Sequence, residues 1–228
     1  MTKSAFPVAR PYPVNLRLAG KPVLVVGAGN VAVRKVGQLL ASGAAVTVVG
    51  LQVDPRLFGL AAESRGPGSG SVSIEQRAYE VGEVAAYMLA ITCTDDGAVN
   101  SRVHDDGLVA GVWVNSADDP TNCEFTLPSV VRTGDLQIAI STEGRSPALA
   151  MWLRQRFEHE FGGEWGELLD VLSDVRDEAR RELGTSELAG WIGALDSVIP
   201  RWLERANPDE ARETLRHHLG LKDLEQVR

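Results

Sequence analysis

At 228 residues and 24.5 kDa the chain is long enough for a main domain with an appendage. Its 44% hydrophobic and 24% charged residues exclude a wholly disordered polymer. A formal charge of −8 argues against bulk attraction to nucleic acid or to an anionic membrane surface. No apolar run approaches the ~20 residues that span a bilayer, and Met1–Pro7 carries no long apolar signal stretch. Cys93 and Cys123 lack metal-ligand spacing, so reduced thiols in a cytoplasmic protein are expected.

In chain order, Pro22–Val26 and Ala45–Val49 read as buried strands. Between them, Val33, Val36 and Leu40 recur at helical spacing and Gly43 closes the pattern. Strand, helix and strand in so short a stretch make a βαβ unit with a right-handed parallel crossover. Gly66–Ser71 reads as a surface loop. Further strands are expected at 72–74, 87–92 and 111–114, with a helix from Gly97 to about Asp106 between the last two. Glu124–Leu127 and Leu136–Ile140 read as extended pieces with no helix between them, so a second, smaller sheet is expected.

Ser146 reads as an N-cap and Pro147 as the first residue of a helix reaching about Glu158. Trp165, Leu168, Leu169, Leu172, Val175 and Ala179 stripe another helix, as core packing or as an oligomer interface. Trp191, Leu195, Val198 and Trp202 suggest a third, interrupted by Pro200. The acidic excess is −2 over the first 150 residues and −6 over the rest, which marks a change of character near Met151. The expected fold is α/β: a Rossmann-type parallel sheet over 1–114, a small region over 115–157 to which the family resemblance given below assigns dimerisation and the active site, and a helical C-terminal domain over 158–228.

The most informative motif is Gly27-Ala28-Gly29-Asn30-Val31-Ala32, a G-x-G-x-x-A directly after a strand and opening a helix. Gly27 permits the tight turn, the bare backbone at Gly29 lets a pyrophosphate approach, and Ala32 allows close helix–strand packing. The exposed amides and positive helix end favour phosphate. A ribose-binding acid is expected ~20 residues on, yet the second strand ends Val49-Gly50-Leu51-Gln52 and the nearest acid is Asp54. Arg56 is the only nearby cation for an NADP phosphate. These residues support a dinucleotide and leave NAD and NADP both open. At another strand's carboxyl end, Thr94 or Asp95 can cap the next helix, contact the nicotinamide end, or do both. No basic residue stands beside Cys93, which reads as an inert thiol.

With these residues assembled, the stretch from about Tyr12 to Phe157 resembles the precorrin-2 dehydrogenase family of sirohaem synthesis. The resemblance is carried by Tyr12-Pro13-Val14-Asn15-Leu16, by Val26 to Lys35, and by Ala90 to Asp96 with Val99-Asn100. It continues through Val114-Asn115 to Asp118, Phe125, Pro128-Ser129 and Ile138 to Pro147. It implies NAD-dependent oxidation of precorrin-2 to sirohydrochlorin by a homodimer. Asn30, Val31, Leu51 and Gln52 match the family's NAD-binding positions, so the missing ribose acid is no objection within it. Asp118 matches the aspartate given a catalytic role, either as proton acceptor or as a group orienting a pyrrole N–H. Ser141 matches a serine near the tetrapyrrole site. The macrocycle is a polycarboxylate, and the Gly144-Arg145-Ser146 turn can present a guanidinium beside a helix N-terminus; Arg132 and Arg34 are weaker candidates.

Two alternatives stand beside this reading. One is a bifunctional enzyme that also takes Fe²⁺ as a substrate and inserts it into sirohydrochlorin. His104, His159, His217 and His218 form no compact ligand set for a resident metal, although a substrate-borne ion needs none. The other is a non-catalytic NAD sensor, against which stands the second extended motif from Asp118 to Pro147.

Overall fold

The computed structural model describes residues 11–64, 70–117 and 119–221. Most of the expected Gly66–Ser71 loop and the whole of Asp118 lie outside the described residues. The chain forms two compact units, one ending at Thr126 and the other beginning at Leu127.

In the first unit five parallel strands lie in the order β3-β2-β1-β4-β5. They are β1 (Pro22–Val26), β2 (Ala45–Val49), β3 (Ser71–Glu75), β4 (Leu89–Thr92) and β5 (Trp113–Ser116). Successive residues of β1 serve opposite faces, as a pleated strand requires. Val23 and Val25 join the core under α1 (Asn30–Ala41), with Ala32, Val36, Val46 and Val48. Leu24 and Val26 join the core under α3 (Gly97–Ala110), with Val103 and Val114. With both faces covered, nearly every β1 side chain is buried, which explains its continuous apolar run. From β1 the chain winds outward through β2 and β3 and then returns to β4 on the other side. The strand order therefore reverses between β1 and β4, where open parallel sheets bind ligands beyond the strands' carboxyl ends.

Several boundaries differ from expectation. The helix expected to end near Asp106 runs to Ala110, because Gly111 at φ +70° is its left-handed stop; β5 therefore begins two residues later, at Trp113. β4 starts at Leu89, after a 3-10 turn over Glu83–Ala86. Glu124–Leu127 forms no strand. Cys123 makes an isolated bridge to Asn115, and Glu124 donates its backbone N–H to the Val114 carbonyl while its carboxylate accepts the Val114 N–H. A short helix α2 (Arg56–Glu63), not anticipated, buries Leu57 in the first core.

The second unit opens with an antiparallel hairpin, β6 (Ser129–Thr133) and β7 (Leu136–Ile140). The hairpin packs on α4 (Pro147–Glu160) through Val131, Ile140, Ala150, Leu153 and Phe157. Three helices follow: α5 (Gly163–Leu183), α6 (Trp191–Arg205) and the unanticipated α7 (Pro208–Leu219). Leu168, Val171 and Val175 of α5 meet Val198 and Trp202 of α6 and Leu215 of α7 in one core. The Trp202 indole N–H donates to the Glu164 carbonyl at 2.8 Å. The α5 stripe is thus core rather than an exposed interface, with Leu168 buried and Trp165 and Leu172 packed against it. Pro200 does not interrupt α6, which runs through it with Ala194, Val198 and Trp202 buried.

Candidate functional site

The loop between β1 and α1 is built by its glycines. Gly27 takes φ +102°, and a Cβ there would stand 2.6 Å from the Cys93 carbonyl carbon and 2.9 Å from the Thr94 nitrogen. Its own N–H donates to Val49 O at 2.8 Å, which ties the loop to the end of β2. Gly29 contrasts with it: a Cβ there meets nothing within 4 Å, and its φ of −89° lies in the ordinary extended region. The first turn of α1 has no capping side chain. An exposed backbone with open space at Gly29, beside the positive end of a twelve-residue helix, suits a pyrophosphate. The residues present therefore fit a dinucleotide.

Around that loop the fold brings the other expected cofactor residues to one sheet edge. Leu51 and Gln52 follow β2 and are exposed, and the Leu51 carbonyl is pinned by Gln76 Nε2 at 3.1 Å. Thr94 follows β4; its hydroxyl donates to Asn100 Oδ1 at 2.8 Å, and Asn100 Nδ2 returns a bond to the Thr94 carbonyl at 3.0 Å. Neither Thr94 nor Asp95 caps α3. That task falls to Asp96, whose carboxylate accepts from the Ala98 and Val99 amides, leaving Asp95 exposed.

One network was not foreseen as a unit. The Asp54 amide donates to the Ala28 carbonyl at 2.9 Å, docking the β2–α2 loop onto the glycine loop. Arg56 grips both Asp54 carboxylate oxygens, Nε to Oδ1 at 3.0 Å and Nη2 to Oδ2 at 2.7 Å, and Nη2 also reaches Asn30 Oδ1 at 2.8 Å. The side-chain and backbone hydrogen bonds from Arg56 lower the Asp54 pKa to about 2.

Beyond β5, the residues flanking Asp118 are held in place. The Ala117 amide donates to Thr92 O at 3.0 Å. Asp119 caps the following 3-10 turn, accepting from the Thr121 hydroxyl, the Thr121 amide and Asn122 Nδ2. The Thr121 hydroxyl and amide hold its carboxyl below the usual range. Asp119 is thus committed to the turn. The Cys123 thiol donates to Ser116 O and Asp119 O, and burial pushes its pKa up. His104 Nε2 meets Glu124 Oε1 at 2.7 Å beside the same turn. Sequence spacing gave no sign of that pair.

The residues expected to meet a tetrapyrrole lie on the second unit, in the turn between β7 and α4. Ser141 Oγ accepts the Glu143 amide at 3.2 Å, and Ser146 Oγ caps α4 by accepting Leu149 N at 3.2 Å. Glu143 at φ +52° and Gly144 at φ +72° bend the turn, and the Arg145 amide closes it on Thr142 O at 2.9 Å. Ser141, Gly144 and Arg145 are exposed. Of the weaker cations, Arg132 bonds Gln137 at 3.1 Å, and Arg34 is exposed on α1. Among the described residues no group of three or more His, Cys, Asp or Glu side chains is placed to hold a metal ion.

A family model described as "Putative NAD(P)-binding" matches residues 14–129, just over half the chain. The chain belongs to this NAD(P)-binding family. A second model, for the central part of sirohaem biosynthesis proteins, matches residues 133–160. The chain is 35% identical over 171 residues to a siroheme synthase of Methylococcus capsulatus, covering 75% of this chain and 35% of that protein. It is 34% identical over 206 residues to a siroheme synthase of Thioalkalivibrio sulfidiphilus, covering 90% and 41% respectively. The chain thus spans well under half the length of these relatives. A solved structure titled SirC, precorrin-2 dehydrogenase, shares the fold with a TM-score of 0.68 at 24% identity, covering 91% of this chain and 98% of that one. The family match extends over the glycine loop, the β2 end and the β4 end alike. Among the described residues no helix is long and apolar enough to cross a membrane.

Proposed function

We propose that this chain oxidises precorrin-2 to sirohydrochlorin with NAD as the acceptor. The observation that carries the reading is the order of parts in one chain. A glycine loop at the switch point of a parallel sheet is followed by a segment, 133–160, similar to the central part of sirohaem biosynthesis proteins. The printed names of the relatives and of the structural neighbour agree with it.

In this proposal the pyrophosphate approaches Gly29, with Asn30 and Val31 at the start of α1 and Gly27 shaping the turn. Leu51 and Gln52 take the adenosine side, and Thr94 and Asp95 the nicotinamide side. When bound, the nicotinamide supplies a hydride acceptor. The substrate loses two electrons and two protons, one of the protons leaving with the electron pair as hydride. The Asp118 carboxylate receives the remaining proton or orients the pyrrole N–H that releases it. Arg145, with Ser141, Gly144 and Ser146, engages the macrocycle's carboxylates through charge-assisted hydrogen bonds.

The proposed assembly is a homodimer, supported by Leu149, Met151 and Trp152, which stand about half exposed on α4. The proposed setting is the cytoplasm, where dinucleotide is abundant. The test is anaerobic incubation of the full chain with precorrin-2, with and without NAD. Loss of precorrin-2 only when NAD is present supports the enzyme, and nucleotide binding without turnover supports a sensor instead. A parallel incubation of sirohydrochlorin with Fe²⁺, against a protein-free control, decides whether metal insertion is added to the oxidation.

A further inference from the structure

We propose that the Asp54–Arg56 pair is the element that sets NAD against NADP in this chain. The inference rests on the dinucleotide reading above and goes beyond it by naming the discriminating side chains.

In this class of fold the adenosine ribose lies beyond the end of the second strand, where an acid binds the 2′-hydroxyl or an Arg accommodates a 2′-phosphate. Here the strand end itself, Gly50-Leu51-Gln52, carries no charge. The first charged groups beyond it are Asp54 and Arg56, and both turn back toward the glycine loop. Asp54 is docked there through its amide to Ala28 O at 2.9 Å, and Arg56 through Nη2 to Asn30 Oδ1 at 2.8 Å. Residues that follow β2 are thereby held against the residue that opens α1. The Arg56 side chain is 58% exposed and that of Asp54 is 19%, so the guanidinium is the more accessible face of the pair.

A lone arginine at this place would attract the extra phosphate of NADP. This one is not alone. Asp54 occupies both Nε and Nη2 in a two-pronged ion pair, so much of the guanidinium's donor capacity is spent. The carboxylate also places a negative charge directly against the guanidinium that a phosphate would have to approach. A 2′-hydroxyl faces no such repulsion and can donate to an Asp54 oxygen. The pair is therefore neutral toward NAD and unwelcoming to NADP, although an arginine is present.

The test is titration calorimetry of the full chain with NAD⁺ and with NADP⁺. The wild type is expected to bind NAD⁺ more tightly. Asp54→Asn removes the charge but keeps the shape, and should shift the ratio of the two dissociation constants toward NADP⁺ by about tenfold or more. The double variant Asp54→Asn/Arg56→Ala should lose most of that gain, because the freed guanidinium is its main source and the lifted repulsion the smaller one. A melting temperature of Asp54→Asn within a few degrees of wild type shows that the chain is still folded. A ratio unmoved within about twofold in Asp54→Asn, or a gain that survives in full in the double variant, overturns the proposal while leaving the dinucleotide reading intact. If the wild type binds neither nucleotide, that reading fails and the proposal fails with it.

Discussion

The peptide carbonyl of Cys93 occupies the space a side chain at Gly27 would need, 2.6 Å from the ideal Cβ position. Two neighbouring strands, β1 and β4, meet at this point, and the Cys93 amide donates to Val26 O at 2.6 Å across the same gap. Gly27→Ala must therefore push backbone against backbone and force an L-residue to φ +102°. We expect a loss of about 2–4 kcal/mol in folding stability. Chemical denaturation with a two-state fit checks it.

Gly29 predicts the opposite behaviour. Its backbone is ordinary and its surroundings are open, so Gly29→Ala should unfold at nearly the wild-type temperature. Gly29→Asp should also fold, yet its carboxylate stands in the path of the pyrophosphate and repels it. Calorimetry should show NAD⁺ affinity reduced by more than about tenfold in Gly29→Asp, with the melting temperature held.

The fold's centre was legible because burial on both faces of β1 and β2 demands near-continuous apolar runs, and the glycine loop marks the turn that follows β1. Other parts were hidden for physical reasons. α2 is eight residues long and buries one side chain, Leu57, too little to produce a periodic stripe. Gly111 reads equally well as the start of a strand or the stop of a helix, and its positive φ decides for the helix. The expected strand at Glu124 is lost because the Glu124 carboxylate is spent on the Val114 amide and on His104. For α7 the signal was present, since Asn207-Pro208 is an N-cap followed by proline at the first helical position. The site was legible at its loop, but the bond from Arg56 to Asn30 links residues 26 positions apart, and no spacing rule reveals it.

Asp118→Ala should leave the glycine loop intact, so NAD⁺ affinity should change little. Precorrin-2 oxidation should fall by about 10²-fold or more if the carboxylate is a base. Asp118→Asn separates the two roles: activity kept in Asn but lost in Ala means orientation, and activity lost in both means proton transfer or carboxylate electrostatics. Near-wild-type turnover by a folded Asp118→Ala protein removes this residue from the mechanism.

Burial pushes the Cys123 thiol above its ordinary value of 9.0, and the neighbouring Glu124 and Asp119 carboxylates push in the same direction against the Ser116 amide. The folded state holds this proton more tightly than the unfolded one. The associated stability is therefore present below about pH 9 and is lost as pH rises through the higher folded value. At a pH near 8, peptide mapping should show Cys123 alkylated more slowly in the native protein than in the unfolded chain. Equal rates would contradict the burial argument.

The most direct measurement is the stoichiometry of a single anaerobic reaction, with precorrin-2 consumed and NADH formed followed together in one cuvette. The account predicts one NADH for each precorrin-2 lost, with no loss in the absence of protein or of NAD. Precorrin-2 consumed without matching NADH, or NAD bound with no precorrin-2 consumed, would contradict it.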